Sequence, residues 1–441
     1  MPRLVRTTLP HWVDPGAAFV ALYGDATDVV WLDSGPNAIT GRSYLGRAVR
    51  ALTSGSVAPG SGSVIELLRA ELAANRLEPT GDGFALGWVG WIGYESRFET
   101  MDGTRNRDSP YPDAAFLFLD RAIEFDHAAR TVTLLQLVDA PEWRADVEDV
   151  LASATFVEPV PEGSAVPERP VWRDSDAEYL AKIRECQARI AAGDAYLLCL
   201  TNEVSVAASV DPVATYLALR AASPTHHGAL VRLGDVSLLS ASPEQFLTVS
   251  PSGMIESRPI KGTRPRGADP EQDAALAADL IASEKERAEN LMIVDLMRND
   301  IGSVSEIGSV EVPSLLTVES YAPVHQLVST VRGQLAHGLE PLDAVLACFP
   351  AGSMTGTPKS SATRILDELE AAPRGIYSGA FGFFALDGRV DLAMVIRSIV
   401  VGPRGASIGA GGGITALSDP DEELAEVKLK AAALLRALGV G

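Results

Sequence analysis

The residues that could do chemistry in this chain begin with acids and a lysine near its C-terminal end. Glu423, Glu426 and Lys430 are three and four residues apart, a spacing that places all three on one face of a helix. Two neighbouring carboxylates could hold a hard divalent cation and leave the lysine for an anionic substrate. A solvated helix face with an i,i+4 ion pair has the same spacing, so both interpretations stand at this point.

A second acidic run, 284–289 (EKERAE), continues directly into apolar residues. Glu286 and Glu289 share a helix face, and Glu289 leads into the apolar side formed by Ile293 and Val294. An unpaired carboxylate would be costly to bury there, and a cation shared with the C-terminal helix would remove that cost. An exposed charged turn is the alternative interpretation.

Glu244 and Lys261 are candidates for proton transfer and nucleophilic attack. Glu244 follows an apolar strand and could act as a general acid if burial raises its pKa. Lys261, which lies in a loop between Ile260 and Gly262, is expected against packed backbone, where a desolvated lysine loses its proton more readily. In isolation, each residue also fits a plainer role, Glu244 in a strand-end turn and Lys261 as a surface charge.

Two glycine-rich stretches could bring backbone N–H groups close to a carboxylate. One is Gly262-Thr263 beside Lys261, and the other is the loop 409–414 (GAGGGI) just before the last helix. Glycines are also common in hairpins, so this signal is weak without further support.

The elements that must position these residues alternate irregularly between helices and strands. Tight turns such as 386–389 (LDGR) predict antiparallel pairing, and the absence of a regular βαβ rhythm favours an α+β fold with antiparallel β-sheets flanked by helices. The predicted helices are 64–75, 143–153, 176–193, 269–300, 341–348, 358–371 and 420–438. The predicted strands lie near 29–32, 84–91, 115–119, 131–135, 195–207, 229–241, 244–257, 378–387, 389–401 and 405–410.

A Pro- and Glu-rich stretch at 157–170 (VEPVPEGSAVPERP) has no hydrophobic periodicity. It predicts an N-terminal region at 1–156, a linker or surface loop at 157–172 and a catalytic domain at 173–441.

The composition limits the possible partners. With 37 Lys and Arg against 58 Asp and Glu, the net charge of −21 excludes nucleic acid and anionic membranes as partners. An anionic substrate then needs local cations in its pocket. Cys186, Cys199 and Cys348 are far apart, as expected of buried thiols in a reducing compartment. With no signal-peptide core and no run long enough to span a bilayer, we expect a cytoplasmic protein.

Several long runs, taken together, resemble the chorismate-utilising enzyme family, which includes anthranilate synthase component I, aminodeoxychorismate synthase component I and the isochorismate and salicylate synthases. The likeness covers about 175–438 and is looser in the N-terminal region, around 31–34 (WLDS), 41–46 and 90–95 (GWIGYE). The runs are 242–244 (SPE), 259–267 (PIKGTRPRG), 284–302 (EKERAENLMIVDLMRNDIG), 349–359 (FPAGSMTGTPK), 376–384 (IYSGAFGFF) and 410–431 (AGGGITALSDPDEELAEVKLKA).

The resemblance implies the fold of that family and a role for each matching residue. Glu289 and Glu426 would be magnesium ligands, with Glu286 and Glu423 in support, and Mg²⁺ would bind the ring carboxylate of chorismate. Glu244 would be the general acid that helps the C4 hydroxyl leave. The residues that would hold the two substrate carboxylates are Gly262, Thr263, Tyr377, Arg397, Gly411, Gly412, Gly413 and Lys430.

Two positions indicate which branch of the family the chain resembles. The strand at 195–201 (AYLLCLT) lacks the lysine with which isochorismate and salicylate synthases activate water. Lys261 stands where anthranilate synthases usually have Ala and aminodeoxychorismate synthases have Lys. The resemblance therefore implies aminodeoxychorismate synthase component I, with a transaminase-type transfer of amide nitrogen to chorismate for 4-aminobenzoate and folate synthesis. Lys261 would add at C2, and ammonia would then attack C4.

Anthranilate synthase component I, from tryptophan biosynthesis, is the first alternative. A non-catalytic regulatory relative is the second, although it would be expected to lack one of Glu244, Glu289, Glu426 or Lys430. No cysteine lies in a nucleophile-elbow context, so the resemblance implies a separate glutamine amidotransferase subunit that supplies the ammonia.

Three positions depart from the pattern of the family. Leu197 stands where many relatives have Gln, and Gln326 stands where many have His. His325 is one residue away and should face the other side of a strand. The tryptophan pocket of some relatives is matched only around Asp33 and Ser34.

Overall fold

The computed structural model describes residues 3–57, 62–79, 81–105, 107–155, 169–321 and 324–440. Its ten α-helices are α1 (Pro15–Tyr23), α2 (Val64–Ala74), α3 (Pro141–Ser153), α4 (Asp176–Ala191), α5 (Pro212–Ala222), α6 (Pro270–Ala282), α7 (Glu284–Gly302), α8 (Pro341–Cys348), α9 (Lys359–Leu369) and α10 (Pro420–Ala437). Three short 3-10 helices cover Ser54–Ser56, Tyr94–Glu99 and Gly352–Met354.

The strands alternate with these helices along the described chain. They are β1 (Val5–Leu9), β2 (Val29–Asp33), β3 (Arg42–Arg47), β4 (Arg50–Leu52), β5 (Gly87–Ile92), β6 (Ala114–Leu119), β7 (Arg121–Asp126), β8 (Thr131–Gln136), β9 (Val171–Trp172), β10 (Leu197–Val206), β11 (His227–Leu233), β12 (Val236–Ser242), β13 (Gln245–Val249), β14 (Met254–Ser257), β15 (Ile260–Pro265), β16 (Glu311–Ser320), β17 (Val324–Gln334), β18 (Gly356–Thr357), β19 (Ala380–Ala385), β20 (Val390–Met394), β21 (Ser398–Gly402) and β22 (Gly405–Ile414).

The strands form two antiparallel sheets. The first sheet has twelve strands in the order β1-β8-β7-β3-β2-β11-β12-β21-β22-β10-β18, with β9 paired to β10. The second has ten strands in the order β15-β17-β14-β13-β20-β19-β5-β6-β4, with β16 paired to β17. Both sheets combine strands from before and after the predicted linker, because β2 pairs with β11 and β5 pairs with β19.

Alternation of side chains along the strands builds a four-layer arrangement. Val30 of the first sheet and Trp91 of the second lie in the apolar core between the sheets. The opposite face of the first sheet, with Trp31, packs against α4 and α10, and that of the second, with Trp88, packs against α2 and α7. The predicted α+β fold, with sandwiched antiparallel sheets flanked by helices, is confirmed.

Several predicted elements are divided more finely in the structure. The helix predicted at 269–300 is broken at Ser283, whose side chain accepts a hydrogen bond from the Glu286 N–H and caps α7. The predicted strands 229–241 and 244–257 are two hairpins, and 389–401 is divided between β20 and β21. Arg397, with φ of 51°, lies where the chain passes from one sheet to the other.

Two predicted loops are strands. Lys261 belongs to β15, at an edge of the second sheet, and residues 409–414 belong to β22. Most of the linker predicted at 157–172 lies outside the described residues. None of the described helices has the length and apolar character required to cross a bilayer.

Candidate active site

The last helix, α10, contacts the glycine strand β22 through Lys430. Its ammonium donates a hydrogen bond to the carbonyl oxygen of Gly411 at 2.8 Å, and it lies 2.8 Å from the Glu426 carboxylate. Asp419 caps the helix by accepting from the N–H groups of Asp421 and Glu422. The predicted i,i+4 pair on this helix face is therefore present, and it is directed toward a glycine strand.

Glu423, one turn before Glu426, is buried and accepts two hydrogen bonds at one carboxylate oxygen. Its carboxylate accepts from the Ser418 hydroxyl at 2.7 Å and from the Lys285 ammonium at 3.1 Å. Since Lys285 belongs to α7, this ion pair joins the two helices that carry the acidic runs. A Cβ at Gly412 would lie 2.9 Å from the Glu423 carboxylate, so glycine is needed for this close approach.

Glu289 of α7 is 8% exposed and lies near the second lysine of interest, Lys261. Burial raises the pKa of Glu289, and the charges of Glu286 and Glu423 act in the same direction, whereas Lys261 and Lys285 lower it. The structure thus brings carboxylates of both helices and two ammonium groups within electrostatic reach of one another.

Two opposing effects act on the pKa of Lys261. Burial lowers the pKa of Lys261, but the carboxylates of Glu289 and Glu244 outweigh it, and the net pKa is raised. The sequence predicted a lysine that loses its proton readily because it is desolvated. The pKa of Lys261 is instead raised, because the surrounding carboxylates stabilise the ammonium form.

Glu244 follows β12 at the point where the chain leaves the first sheet, and its carbonyl oxygen accepts from the Met394 N–H at 3.0 Å. Burial raises the pKa of Glu244, while Lys261 and a hydrogen bond with Ser353 lower it, and the net pKa is raised. The pKa of Glu244 is therefore shifted in the direction expected of a general acid.

Some N–H groups of the glycine strand do not bond to its partner strand β10. The Cys199 N–H bonds to the Thr355 carbonyl on the far side of β10, so Cys199 and Gly413 form a non-hydrogen-bonded pair. Gly411 and Gly413 consequently direct their N–H groups away from β10. A Cβ at Gly413 would lie 3.7 Å from Glu289, which places this edge next to the carboxylate cluster.

Tyr377 and Arg397 complete the side chains that the structure brings together. A Cβ at Gly409 would lie 2.1 Å from the Tyr377 ring, so the ring packs directly on the glycine strand. Burial lowers the pKa of Arg397, while Glu426 and Tyr377 act in the other direction. Arg397 also holds a positive φ, a strained conformation that is enriched at functional sites.

Gly262 and Thr263 differ in position. Gly262 has φ of 81°, and a Cβ there would lie 3.0 Å from Glu286, so this glycine lies against the acidic helix. Thr263 is exposed and pairs with Gln326 across a β-bulge. Because cross-strand partners share a face, Thr263 lies on the face of β15 opposite to Arg264 and α6.

His325 and Gln326 face opposite sides of β17, as predicted. His325 bonds to Asp273 of α6 at 2.9 Å and to Ser320 at 2.7 Å. Gln326 lines a cavity of about 1100 Å³ that is also lined by Ser34 and Ile260. The residues that line this cavity do not include Lys261, Glu244, Glu289 or Glu426.

Asp33, Leu197 and the three cysteines, which the sequence analysis also singled out, are all buried. The Asp33 carboxylate is buried and lies 2.6 Å from the Arg220 guanidinium, so it is not free for a ligand. Leu197 is fully buried and packs on Gly413. The thiols of all three cysteines are buried, and burial raises the pKa of Cys186 to about 12. Such a thiol is a poor nucleophile.

The donor set suits a hard divalent cation, because Glu286, Glu289, Glu423 and Glu426 offer only carboxylate oxygens. In the part of the chain that the structure describes, however, no three His, Cys, Asp or Glu side chains surround one point as a ready metal site. Lys285 and Lys430 pair with Glu423 and Glu426 instead. The chemistry of the residues fits the ion, and its binding would require these lysines to release their carboxylates.

Sequence reasoning did not find Asn290 or Arg374. Asn290 is fully buried on α7, and its amide donates to the carbonyls of Pro259 and Leu327, which fixes the helix on the strand that carries Lys261. The available signal was a polar residue at an apolar-face position, one turn before Ile293 and Val294. Arg374 follows a proline in a turn, where no local pattern marks it.

Comparison with known proteins agrees with this geometry. The family described as chorismate binding enzyme matches residues 28–436. The chain belongs to the chorismate binding enzyme family.

Similar proteins include aminodeoxychorismate synthases and an anthranilate synthase component 1. Two aminodeoxychorismate synthases, from Streptomyces pristinaespiralis and Streptomyces griseus, are 43% and 44% identical over 96% and 99% of this chain. The chain spans 64% of the length of each. Anthranilate synthase component 1 of Streptomyces coelicolor is 36% identical over 97% of this chain and 86% of its own length.

Among solved structures, anthranilate synthase component I from Streptococcus pneumoniae is similar to this chain with a TM-score of 0.77 and 29% identity. The match covers 89% of this chain and 92% of that one. The two sheets and their helices are therefore those of the family.

Proposed function

We propose that this chain is the component I part of an aminodeoxychorismate synthase, which replaces the C4 hydroxyl of chorismate with ammonia to give 4-amino-4-deoxychorismate. The observation that carries the proposal is that Lys261 lies within electrostatic reach of the carboxylates of Glu289 and Glu244. The higher identity to the Streptomyces aminodeoxychorismate synthases than to the anthranilate synthase also supports it. In formal terms the reaction is a transaminase-type transfer of amide nitrogen.

Lys261 and Glu244 supply the nucleophile and the acid together. Transfer of the Lys261 proton to Glu244 leaves an amine and a carboxylic acid; the raised pKa of Glu244 favours this transfer, and the raised pKa of Lys261 opposes it. The amine then forms a bond to C2 of chorismate, both ring double bonds shift by one position, and the C4–O bond breaks. Glu244 gives its proton to the departing hydroxyl, which leaves as water.

Ammonia completes the exchange. Its nitrogen forms a bond to C4, the double bonds return, and the bond between C2 and the Lys261 nitrogen breaks, so that the lysine is regenerated. The enolpyruvyl group stays on the ring, and a separate lyase would remove it to give 4-aminobenzoate for folate synthesis.

The surrounding residues hold the substrate in this scheme. The two carboxylates of chorismate would bind to the backbone of Gly262 and Thr263 and to Tyr377, Arg397, Gly411, Gly412, Gly413 and Lys430. Mg²⁺ is the cofactor that we propose, held by Glu289 and Glu426 with support from Glu286 and Glu423, and it would neutralise the ring carboxylate. A glutamine amidotransferase would supply the ammonia, since the thiols of this chain are buried.

One assay tests the proposal. The protein is incubated with chorismate, MgCl2 and an ammonium salt, and the products are separated by chromatography. We expect a non-aromatic amine that becomes 4-aminobenzoate only when the lyase is added. Anthranilate synthase component I is the second candidate, favoured by the match over 86% of the Streptomyces coelicolor protein, and fluorescent anthranilate as the main product would overturn our proposal.

A further inference from the structure

The segment 93–95 (GYE) of the N-terminal region contacts the turn that carries Tyr377. The two carboxylate oxygens of Glu95 accept from the backbone N–H groups of Arg374 and Gly375, each at 2.9 Å. The Tyr94 N–H donates back to the Gly375 carbonyl at 2.8 Å. Three hydrogen bonds therefore fix Arg374 and Gly375, which come three and two residues before Tyr377.

The Arg374 side chain extends the same connection to the rest of the candidate site. Its guanidinium is buried against Glu370, and it donates to the carbonyls of Cys199 at 2.9 Å and Met354 at 2.6 Å. Cys199 is the strand partner of Gly413, and Met354 follows Ser353, which lies close to Glu244. One side chain thus joins three segments that border the site.

The contacts of Glu95 suit it to holding the 374–375 backbone in place. It is 5% exposed, and a buried carboxylate with two N–H donors is a strong, fixed acceptor. A glutamine has only one acceptor oxygen, so it would leave one buried N–H without a partner.

We infer that Glu95 is a positioning residue for substrate binding, which acts through the 374–375 backbone to hold Tyr377 against Gly409. The inference rests on the proposed function only in that the ligand is chorismate. It assigns to the N-terminal region a part of the affinity for a substrate that Glu95 itself does not touch.

The test compares Glu95→Gln with Glu124→Gln, a matched control. Glu124 is also a 5% exposed carboxylate, but it lies on β7 and pairs with Arg6. We expect Glu95→Gln to weaken chorismate binding about tenfold, measured by calorimetry with MgCl2 and without ammonia, and to raise KM by the same factor with a smaller change in kcat. Glu124→Gln should leave both constants unchanged at a comparable loss of Tm.

A double-mutant cycle with Tyr377→Ala separates positioning from general destabilisation. If Glu95 acts through Tyr377, the effect of Glu95→Gln on chorismate affinity disappears in the Tyr377→Ala background. Additive effects, or equal affinities in Glu95→Gln and Glu124→Gln, would overturn the inference. If Glu95→Gln does not fold, Glu95→Asp is measured in the same way.

These readouts are independent of the product that is formed. Formation of anthranilate in place of aminodeoxychorismate would contradict the proposed function, but the comparison of chorismate binding would remain valid. If Glu95→Gln binds chorismate as wild type does and still forms aminodeoxychorismate, only the inference about Glu95 is contradicted.

Discussion

Lys430 and Glu426 lie one turn apart on α10, with the ammonium nitrogen 2.8 Å from the carboxylate oxygen. The same ammonium bonds to the Gly411 carbonyl, so the pair connects the helix to the glycine strand. This carboxylate is one that we propose as a magnesium ligand, and in this structure a lysine compensates its charge. Binding of the metal and release of the lysine are therefore expected to occur together.

Glu426→Gln tests that relationship. The amide keeps the size of the side chain but loses the charge, so we expect at least about a tenfold rise in the MgCl2 concentration needed for half activity, together with weaker chorismate binding. The measurement is a MgCl2 titration of the initial rate. Glu422→Gln, at an exposed position on the same helix, is the control and should behave as wild type. Activity that persists in excess chelator would refute the metal assignment.

Lys261→Ala removes the proposed nucleophile. We expect loss of aminodeoxychorismate formation by about a thousandfold or more in kcat/KM because the nucleophile is removed, while the protein still folds and binds chorismate. Rates come from product chromatography and binding from calorimetry. Lys428→Ala, at an exposed lysine paired with Asp176, serves as the control. Aminodeoxychorismate formation at the wild-type rate would exclude the covalent role.

The sequence predicted the α+β class because turns and amphipathic helices are local features, and α10 and α4 were predicted nearly to their ends. It did not predict the strand character of Lys261, since an edge strand with a β-bulge has no clear alternation. The sequence prediction also missed the helix break at Ser283. A local signal was available, because a serine three residues before Glu286 is typical of a helix N-terminus.

The composition of the candidate site was more predictable than its electrostatics. Glu244, Glu289 and Glu426 could be selected because their spacing and long flanking runs resemble a known family. The raised pKa of Lys261 depends on carboxylates from α7 and from the end of β12, which lie far apart in the sequence. The contact between Glu95 and the 374–375 turn is equally non-local, because it joins residues 279 and 280 positions apart.

Asp300→Ala should destabilise the fold by about 3–5 kcal/mol. The mutation removes the carboxylate that bonds to the Lys359 ammonium at 2.6 Å and leaves this largely buried charge with only the Cys348 carbonyl as an acceptor. Urea unfolding gives the free energy. The matched control is Asp295→Ala in the exposed pair with Arg298, where we expect a loss of only about 0.5 kcal/mol or less. Similar losses for the two variants would show that burial of the Asp300 pair has no energetic consequence.

Asp391, which lines the large cavity, should make stability depend on pH. Burial raises the pKa of Asp391 from its ordinary value near 3.8 to about 6, with Arg389 acting in the other direction. A carboxyl with a higher pKa in the folded state holds more protons there than in the unfolded chain, so its contribution to stability is lost as pH rises from about 4 to about 6. Asp391→Asn should therefore be more stable than wild type at pH 7.5, by about 1–2 kcal/mol, and the difference should vanish near pH 4.

Urea unfolding of both proteins across this range measures the difference. Asp126 provides a control of opposite sign, because a hydrogen bond from the Ala129 N–H, together with Arg42, lowers the pKa of Asp126. Asp126→Asn should be less stable than wild type at neutral pH and should approach it as acid protonates the wild-type carboxylate. A gain from Asp391→Asn that stayed constant from pH 4 to pH 7.5 would mean that better packing, and not relief of a buried charge, is responsible.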